Sequence, residues 1–396
     1  MLTSPPYNGR PAFGPGAHLY RLAVSLTAVS PTVEAMTEIR RIAVNTGGGD
    51  APGLNAVIRA VVLTAEQLGW EVHGILDGYG GLFRDDGVIL LDRRAVSGIT
   101  HLGGTILGTT NRGNPLKWPV KADDGSMTYE DRSQRVLDEI AGHGIDALIA
   151  IGGDGSLGIA QKLAEKGLKV VGVPKTIDND LAATNLTFGF TTAVETATDA
   201  IGKLHSTAEA HERVMVVELM GRSAGWISLF AGLAGTADVI LIPEIPYDMD
   251  SVCRKIESRY SSGSEFAIVV VSEGAFPVGG EPLFKQSAEG QKRLGGVAKL
   301  VADEINDRTG RETRELVLGH LQRGGGPNAY DRLLALRFGA AAVRLVSEGE
   351  FGTMVALDPP NVLAVPLEEA IATIKTVPLD AEVLDTARAL GICMGD

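Results

Sequence analysis

Residues 146–180, DALIAIGGDGSLGIAQKLAEKGLKVVGVPKTIDND, contain the pattern that decides the fold. An apolar run ends in the Gly-rich turn GGDGS, and the helical stretch GIAQKLAEKG follows it. A second apolar run, KVVGVP, then ends in the polar turn KTIDND. Short apolar runs bounded by such turns indicate buried strands. Strand, helix and strand in this order predict a βαβ unit with parallel strands and a right-handed crossover.

The same alternation extends in both directions along the chain. RIAVNT at 41–46 is a strand followed by the turn GGGDAPG, and residues 55–69 have helical spacing. Residues 191–210 form a longer amphipathic helix, and 213–221 and 265–274 are further buried strands. At 396 residues the chain exceeds what one hydrophobic core usually serves. We therefore predict an α/β protein with two mainly parallel sheets.

Composition excludes several classes of protein. The net charge of −13 opposes unspecific binding to nucleic acid or to a membrane surface, because both require a basic face. Only Cys253 and Cys393 are present, which cannot staple a chain this long and fits a reducing compartment. No stretch approaches the ~20 apolar residues of a membrane span. The sequence predicts a cytoplasmic protein that binds neither membrane nor nucleic acid.

The amino-terminal segment differs from the rest. Its opening, MLTSPPYNGRPAFGPGAH, is rich in Pro and Gly, which favours disorder. Residues 22–29 are apolar like a signal-peptide core, but no basic segment leads into them from the start. Met36 resembles an ordinary start before the first strand. We predict a disordered extension over residues 1–37, of which 1–35 are dispensable for activity.

Three polar turns follow predicted strands, at 47–53, 152–156 and 174–180. Parallel sheets bind ligands at the carboxyl ends of their strands. Gly lets backbone N–H groups approach phosphate oxygens, and an acid within such a turn can hold a divalent cation. The pair Asp178 and Asp180 could supply a general base and a metal-linked partner. Each turn alone also fits a simple βα connection, but three in order favour phosphate chemistry.

Basic residues gather near two other strand ends. Arg213 precedes a predicted strand and Arg222 follows it, while Arg314, His320 and Arg323 lie in RETRELVLGHLQRGG. Guanidinium groups match phosphate oxygens. Single Arg residues are usually solvated, but this density in an acidic chain favours an anion-binding pocket.

Taken in order, these motifs resemble those of the 6-phosphofructokinase family from about residue 40 to about residue 345. The matching segments are GGGDAPGLNAVIRA, DGYGGLF, GGTILGTTNRG, DALIAIGGDGS, GVPKTIDND, FGFTTAVETATDAI, ERVMVVELMGRSAGW, VSEG and RETRELVLGHLQRGGGPNAYDRLLA. The resemblance implies Mg²⁺-dependent phosphoryl transfer from ATP to the C1 hydroxyl of fructose 6-phosphate, giving fructose 1,6-bisphosphate in the committed step of glycolysis. It also implies two Rossmann-like domains with the active site in the cleft between them.

The resemblance further implies a division of the chain and a site. The donor domain would comprise residues 38–189 and about 322–372, and the fructose 6-phosphate domain about 190–321 and 373–396. Catalysis would involve Asp178 as the base, with Thr176, Asp180 and Arg222. The donor would be held by Gly48, Gly49, Arg112, Gly113, Gly153, Asp154 (also the Mg²⁺-associated acid), Gly155 and Ser156. The sugar phosphate would contact Thr176, Ile177, Asp178, Met220, Gly221, Arg222, Glu273, His320, Leu321, Gln322 and Arg323, together with Arg213 and Arg314 from a neighbouring subunit. The chain would then be a homodimer or homotetramer.

Two positions disagree on the phosphoryl donor. In similar enzymes that use pyrophosphate, an Asp stands where Gly155 lies, and its charge would repel the α-phosphate of ATP. Lys175 matches a Lys of those pyrophosphate enzymes. We let Gly155 decide and predict ATP, because an absent carboxylate removes a block whereas a Lys can assist either donor. Similar enzymes under nucleotide feedback carry extra basic residues in an effector cleft. Here Arg59 is present, but the apolar Leu63 stands where a second Arg would lie, so the resemblance does not imply control by ADP or phosphoenolpyruvate.

Three alternatives to this assignment remain. The first is a pyrophosphate-dependent phosphofructokinase. The second is a non-catalytic regulatory subunit that binds sugar phosphate, against which Asp154, Asp178 and Arg222 argue. The third is a Rossmann oxidoreductase, which lacks support because no GxGxxG followed by an acid ~20 residues on appears in the right place.

Overall fold

The structure is a computed structural model that describes residues 39–396 except residue 123 and residues 287–291. The predicted extension over residues 1–37 lies outside the described residues.

Strands and helices alternate through most of the described chain. The strands are β1 (Arg41–Thr46), β2 (Glu71–Ile75), β3 (Val88–Leu91), β4 (Trp118–Lys121), β5 (Met127–Glu130), β6 (Ala147–Gly152), β7 (Val170–Pro174), β8 (Val214–Leu219), β9 (Val239–Leu241), β10 (Ala267–Ser272), β11 (Phe284–Gln286), β12 (Lys292–Leu294), β13 (Thr313–Val317), β14 (Thr353–Asp358) and β15 (Asn361–Pro366). The α-helices are α1 (Leu54–Gln67), α2 (Ser133–Gly142), α3 (Asp154–Glu165), α4 (Phe190–Ala210), α5 (Trp226–Ala234), α6 (Met249–Ser261), α7 (Val297–Thr309), α8 (Ala329–Glu348), α9 (Leu367–Ala372) and α10 (Glu382–Ala389).

Seven strands form the larger sheet in the order β15-β14-β7-β6-β1-β2-β3. The five central strands run parallel, and the two edge strands β3 and β15 are antiparallel to their neighbours. All six residues of β6 are buried, as expected for a strand covered on both faces. One face packs on α1 and α8 around Phe338, and the other packs on α2, α3 and α9 around Leu157.

A second sheet has the order β13-β8-β10-β9 and is parallel throughout. Helices α4, α5 and α10 cover one face, and α6 and α7 cover the other. Two sheets, each sandwiched between helices, confirm the predicted α/β class. No helix in the described part of the chain is long and apolar enough to cross a bilayer.

One predicted boundary differs from the structure. The sequence treated GGDGS as a turn before a helix beginning at Gly158, but α3 already begins at Asp154. Asp154 therefore occupies the first turn of a helix, where a carboxylate meets the positive end of the helix dipole and its unpaired N–H groups.

Candidate active site

The three polar turns meet at one edge of the larger sheet. They follow β1, β6 and β7, which are consecutive neighbours in that sheet and parallel to one another. The amide N–H of Gly47 donates to Ile151 O at 2.9 Å, and that of Lys175 donates to Gly152 O at 2.9 Å. The sheet ladder therefore continues into the turns and holds all three side by side.

The first turn lies against basic side chains. A Cβ on Gly49 would stand 2.9 Å from a guanidinium nitrogen of Arg323, so only Gly permits this approach without displacement. Arg323 also donates to the carbonyl of Asp50 at 3.0 Å. The Nζ of buried Lys175 donates to the carbonyl of Gly49. Two cationic side chains, Arg323 and Lys175, therefore contact the Gly-rich turn, which suits an anion site.

Burial and the nearby Arg323 guanidinium lower the pKa of Lys175 to about 8, while the carboxylates of Asp178, Asp50 and Asp180 oppose that shift. The side chain is 3% exposed. Lys175 is therefore a buried cation at neutral pH whose charge is balanced by the acids around it.

Residues 176–180 form a turn that is itself fixed by hydrogen bonds. The N–H of Asp178 donates to Thr176 Oγ1 at 3.1 Å, and Thr187 Oγ1 donates to the carbonyl of Thr176 at 2.7 Å. Asn179 has the left-handed φ of 52°, and its Oδ1 accepts from the N–H of Thr187 at 3.2 Å. Asn tolerates this backbone region better than most residues do. The turn thus presents Asp178 and Asp180 in a defined arrangement.

Both acids of this turn are buried, with one oxygen of each lacking a hydrogen-bond partner. Burial and the neighbouring charge of Asp180 raise the pKa of Asp178 to about 7, against the attraction of Arg323 and Arg222. Burial and the charge of Asp154 likewise raise the pKa of Asp180. Asp178 is a carboxyl whose proton affinity is matched to neutral pH, which is the property of a general base.

Arg222 connects the two sheets. It lies in the turn between β8 and α5 with φ of 53°, and its guanidinium pairs with the Asp154 carboxylate of α3 at 3.3 Å. Its backbone N–H donates to Glu273 Oε1 at 3.0 Å, which fixes the turn on β10. A strained non-Gly backbone held in place by neighbours is common at functional sites. The predicted residues on the two sheets therefore do meet in one cleft.

The remaining predicted residues of the second sheet also lie at the carboxyl ends of its strands. Met220 N–H donates to the fully buried Gln322 at 3.3 Å, which joins the end of β8 to the 3₁₀ turn Gly319–Arg323. Within that turn, His320 and Leu321 are exposed, and Leu321 is 69% exposed. Gly221, between Met220 and Arg222, is buried, as is Ile177 beside Asp178.

Arg213 and Arg314 lie away from this cleft. Arg213 directly precedes β8 and Arg314 is the second residue of β13, so both occupy the amino end of the smaller sheet. Both guanidinium groups pair with one carboxylate, Glu312, at 2.8 Å and 2.7 Å respectively. The structure brings the two arginines together as a pair. They lie at the amino ends of the strands of the smaller sheet, whereas Arg222 lies at the carboxyl ends of those strands, where the cleft with Asp178 is.

The donor-side residues form the outer part of the cleft. Asp154 and Gly155 are exposed at the start of α3, with Gly153 and Ser156 beside them. A Cβ on Gly155 would meet no atom within 4 Å. Open space and backbone N–H groups at a helix start suit a polyphosphate.

Sequence reasoning missed part of the donor-side loop. Thr109 Oγ1 donates to the carbonyl of Gly48 at 2.6 Å, so this side chain fixes the first turn. Trp118 packs on Gly113, where a Cβ would stand 3.1 Å from its ring, and next to it Arg112 donates its N–H to Thr110 Oγ1 at 2.9 Å. The quoted motif GGTILGTTNRG contains both threonines, and their position between Gly residues was the available signal.

Comparison with known proteins agrees with this geometry. The family model for phosphofructokinase matches residues 41–346. ATP-dependent 6-phosphofructokinase 1 of Synechocystis sp. is 50% identical over 364 residues, covering 91% of this chain and 100% of that protein. Pyrophosphate–fructose 6-phosphate 1-phosphotransferase of Amycolatopsis methanolica is 52% identical over 343 residues, covering 85% and 96%. The T-state crystal structure of Pichia pastoris phosphofructokinase matches with a TM-score of 0.73 at 30% identity, covering 89% of this chain and 39% of that one.

Proposed function

The chain belongs to the phosphofructokinase family, and on that premise we propose that it transfers the terminal phosphoryl group of ATP to the C1 hydroxyl of D-fructose 6-phosphate. The observation that carries the proposal is Asp178, a buried carboxyl with a pKa of about 7 and a free oxygen. Cations from both sheets surround it, which is what transfer of a charged group to a hydroxyl needs. A regulatory subunit without activity would have no use for this buried acid.

Asp178 acts as the base of the reaction. Its carboxylate accepts the proton of the C1 hydroxyl as the new O–P bond forms, and a positioned base of this kind contributes about 10²–10⁴ in rate. Thr176 and Asp180 support it from the same turn, the first by a hydrogen bond to the Asp178 amide and the second by raising its proton affinity.

Arg222 stabilises the transferring group. Its guanidinium stands between Asp154 on the donor side and the 176–180 turn on the acceptor side. Phosphoryl transfer relies on positioning and on electrostatic stabilisation of the equatorial oxygens. A guanidinium already held across the cleft provides both with little reorganisation.

The donor site is formed by two Gly-rich turns and the start of α3. Gly48, Gly49, Gly153, Gly155 and Ser156 offer backbone and hydroxyl groups to the phosphates, and Arg112 and Gly113 lie at its outer side. Bound Mg²⁺ supplies charge neutralisation of the phosphates. Among the described residues no three acids converge as a metal cage, which suits an ion that keeps its waters and takes one carboxylate plus substrate phosphates. The exposed Asp154 fits that single ligand.

The sugar phosphate is bound by the second sheet. Its contacts are Ile177, Met220, Gly221, Glu273, His320, Leu321, Gln322 and Arg323, in addition to the catalytic residues. Arg213 and Arg314 lie at the opposite edge, paired through Glu312. They therefore serve a neighbouring subunit's site, and the protein is a homodimer or homotetramer. Two domains divided at about residues 189, 322 and 372, and a cytoplasmic location, complete the proposal.

Gly155 supports ATP rather than pyrophosphate as the donor. No atom outside its chain neighbours lies within 4 Å of where its Cβ would stand, so phosphates beyond the transferred one have room, and Gly155 itself adds no carboxylate. Pyrophosphate remains the second candidate because Lys175 lies beside Gly48 and a pyrophosphate enzyme is 52% identical. Identity alone does not separate the donors, since the ATP enzyme is 50% identical.

One coupled assay tests the proposal. Fructose 1,6-bisphosphate formation is followed with fructose 6-phosphate and Mg²⁺, offering ATP and pyrophosphate in separate reactions. We expect turnover with ATP and at least tenfold lower kcat/KM with pyrophosphate. Turnover with pyrophosphate alone would overturn the donor, and no product with either donor would overturn the reaction.

A further inference from the structure

A carboxy-terminal segment, residues 374–377, crosses the back of the turn that carries the two buried acids. The N–H of Lys375 donates to the carbonyl of Asp180 at 2.8 Å, and Ile374 pairs with Leu181 as an isolated antiparallel bridge. This segment is 196 positions from Asn179 in sequence. Its contact with the turn therefore depends wholly on the tertiary fold.

The ammonium group of Lys375 has three acceptors from the same region. Its Nζ donates to Asn179 Oδ1 at 3.0 Å, to the carbonyl of Thr184 at 2.9 Å and to the carbonyl of Asn185 at 3.0 Å. A lysine ammonium has three donors, so all are used. Among the residues that the structure describes, no carboxylate lies at salt-bridge distance from this ammonium, and burial lowers the pKa of Lys375 to about 8 against the attraction of Asp180.

These contacts hold the one strained residue of the turn. Asn179 keeps a φ of 52° between the two acids, and its Oδ1 also accepts the N–H of Thr187. Lys375 and Thr187 therefore both donate a hydrogen bond to the same Asn179 oxygen. Loss of the ammonium would leave Asn179 Oδ1 with the N–H of Thr187 and would remove a donor from the carbonyls of Thr184 and Asn185.

The same segment also contacts the other side of the cleft. Trp226 Nε1 donates to the carbonyl of Lys375 at 2.9 Å, at the start of the helix that follows Arg222. Glu244 accepts from the N–H of Val377 at 2.8 Å and from the N–H of Gly225 at 2.9 Å. Residues 374–377 therefore tie the turn carrying Asp178 to the turn carrying Arg222.

We propose that Lys375 is a positioning residue for phosphoryl transfer, which sets the orientation of Asp178 by holding Asn179 and residues 184–185 from outside the cleft. The inference rests on the proposed function, because it gives Asp178 the role of base. Lys375 is not a catalytic residue, since it contacts the turn and not the reacting groups. Misplacing a reacting group by about 1 Å can cost about 10²-fold in rate.

The test compares Lys375→Met with Lys375→Arg, and with Lys299→Met as a matched control. Lys299 is exposed and pairs with Asp303 on its own helix. We expect Lys375→Met to lower kcat about 10–100-fold while KM for fructose 6-phosphate and ATP changes less than about threefold. Lys375→Arg, which keeps the charge and donors, should recover part of kcat, and Lys299→Met should match wild type.

A double-mutant cycle identifies the contact. Asn179→Gly removes the amide but permits the left-handed backbone. If Lys375 acts through Asn179, Lys375→Met combined with Asn179→Gly should lower kcat by much less than the product of the single effects. A loss of kcat in the double variant equal to the product of the two single losses would overturn the proposal. So would a lower Tm with unchanged kcat. If Lys375→Met does not fold, Lys375→Gln replaces it with the same expectations.

Hydrogen exchange separates failure of this inference from failure of the proposed function. Amides at 178–187 should exchange faster in Lys375→Met than in wild type, while amides of β10 stay unchanged. Unchanged exchange at 178–187 would refute the proposal that Lys375 holds this turn, whether or not the enzyme turns over fructose 6-phosphate. Absence of activity in wild type, together with faster exchange at 178–187 in Lys375→Met, would refute the proposed function while leaving the hold of Lys375 on the turn in place.

Discussion

Substituting Gly155 by Asp should lower kcat/KM for ATP relative to kcat/KM for pyrophosphate without disturbing the fold. Gly155 is the second residue of α3, is exposed, and has no atom within 4 Å of its Cβ position. The new side chain therefore enters open space and stands in the first helical turn, where a carboxylate is favourable. Substitutions at such surface positions usually change stability by less than about 0.5 kcal/mol.

The expected loss follows from the distance. A carboxylate and a phosphate charge about 4 Å apart repel by about 4 kcal/mol at an effective dielectric of about 20, and by about 1 kcal/mol in bulk water. Because Gly155 is exposed, the effect lies between these limits. A penalty of about 1–4 kcal/mol corresponds to a loss of about 5-fold to 10³-fold in kcat/KM for ATP. Pyrophosphate has no third phosphate to repel, so its use should not fall.

The assay measures kcat/KM for both donors in wild type, Gly155→Asp and Gly202→Asp. Gly202 is a matched control, since it is an exposed helical glycine in α4 with nothing within 4 Å of its Cβ position. The control should behave as wild type. If Gly155→Asp keeps its kcat/KM for ATP within about twofold of wild type, the electrostatic explanation of donor choice is wrong.

The other predictions concern the base, its pH dependence, the distant arginines and the amino terminus. Asp178→Asn should lower kcat about 10²–10⁴-fold with the fold kept, because an amide cannot accept the hydroxyl proton; a near wild-type kcat in a steady-state assay would remove Asp178 as the base. Since burial and then Asp180 raise the pKa of Asp178 to about 7, protonation inactivates the base as pH falls through 7. Asp180→Asn should therefore move the acidic limb of the kcat/KM profile to lower pH, and an upward shift would contradict this. Arg213→Ala and Arg314→Ala should each raise KM for fructose 6-phosphate far more than KM for ATP; equal changes would argue against a sugar-phosphate contact. Deleting residues 1–35 should leave kcat unchanged, and loss of activity would refute a dispensable extension.

The sequence predicts strands well where each is buried and bounded by Gly. RIAVNT gave the bounds of β1, and KVVGVP contains β7, because both are apolar runs closed by turns. Edges of the larger sheet were not predicted. β15 is largely exposed although it contains the apolar run VLAV, and β5, which pairs with β4 in a separate two-stranded sheet, is wholly exposed and has no such run. The early start of α3 was missed because Gly155, with the glycines before it, is typical of a turn rather than of the first residues of a helix.

For the site, the sequence predicted which turns lie together, but it could not predict contacts between residues far apart in the chain. The alternation of strand and helix put Asp154 and Asp178 at one sheet edge, since carboxyl ends of parallel strands share an edge. The pairing of Arg222 with Asp154 depends on how the two sheets face each other, which no local pattern encodes. Lys375 has no motif around it, and only the tertiary structure brings it to Asn179.

The cleft resolves the conflict between an acidic chain and anionic substrates by local balance. The chain carries a net charge of −13, yet Lys175, Arg222 and Arg323 surround the acids of the cleft. Arg323 and Arg222 hold the pKa of Asp178 near 7 against burial and the charges of Asp180 and Glu273, which raise it. A carboxyl at that pKa is a stronger base than a solvated one and is still about half ionised at pH 7. Removing either arginine would therefore raise the pKa of Asp178 and favour protonation of the proposed base, in addition to weakening the proposed phosphate binding.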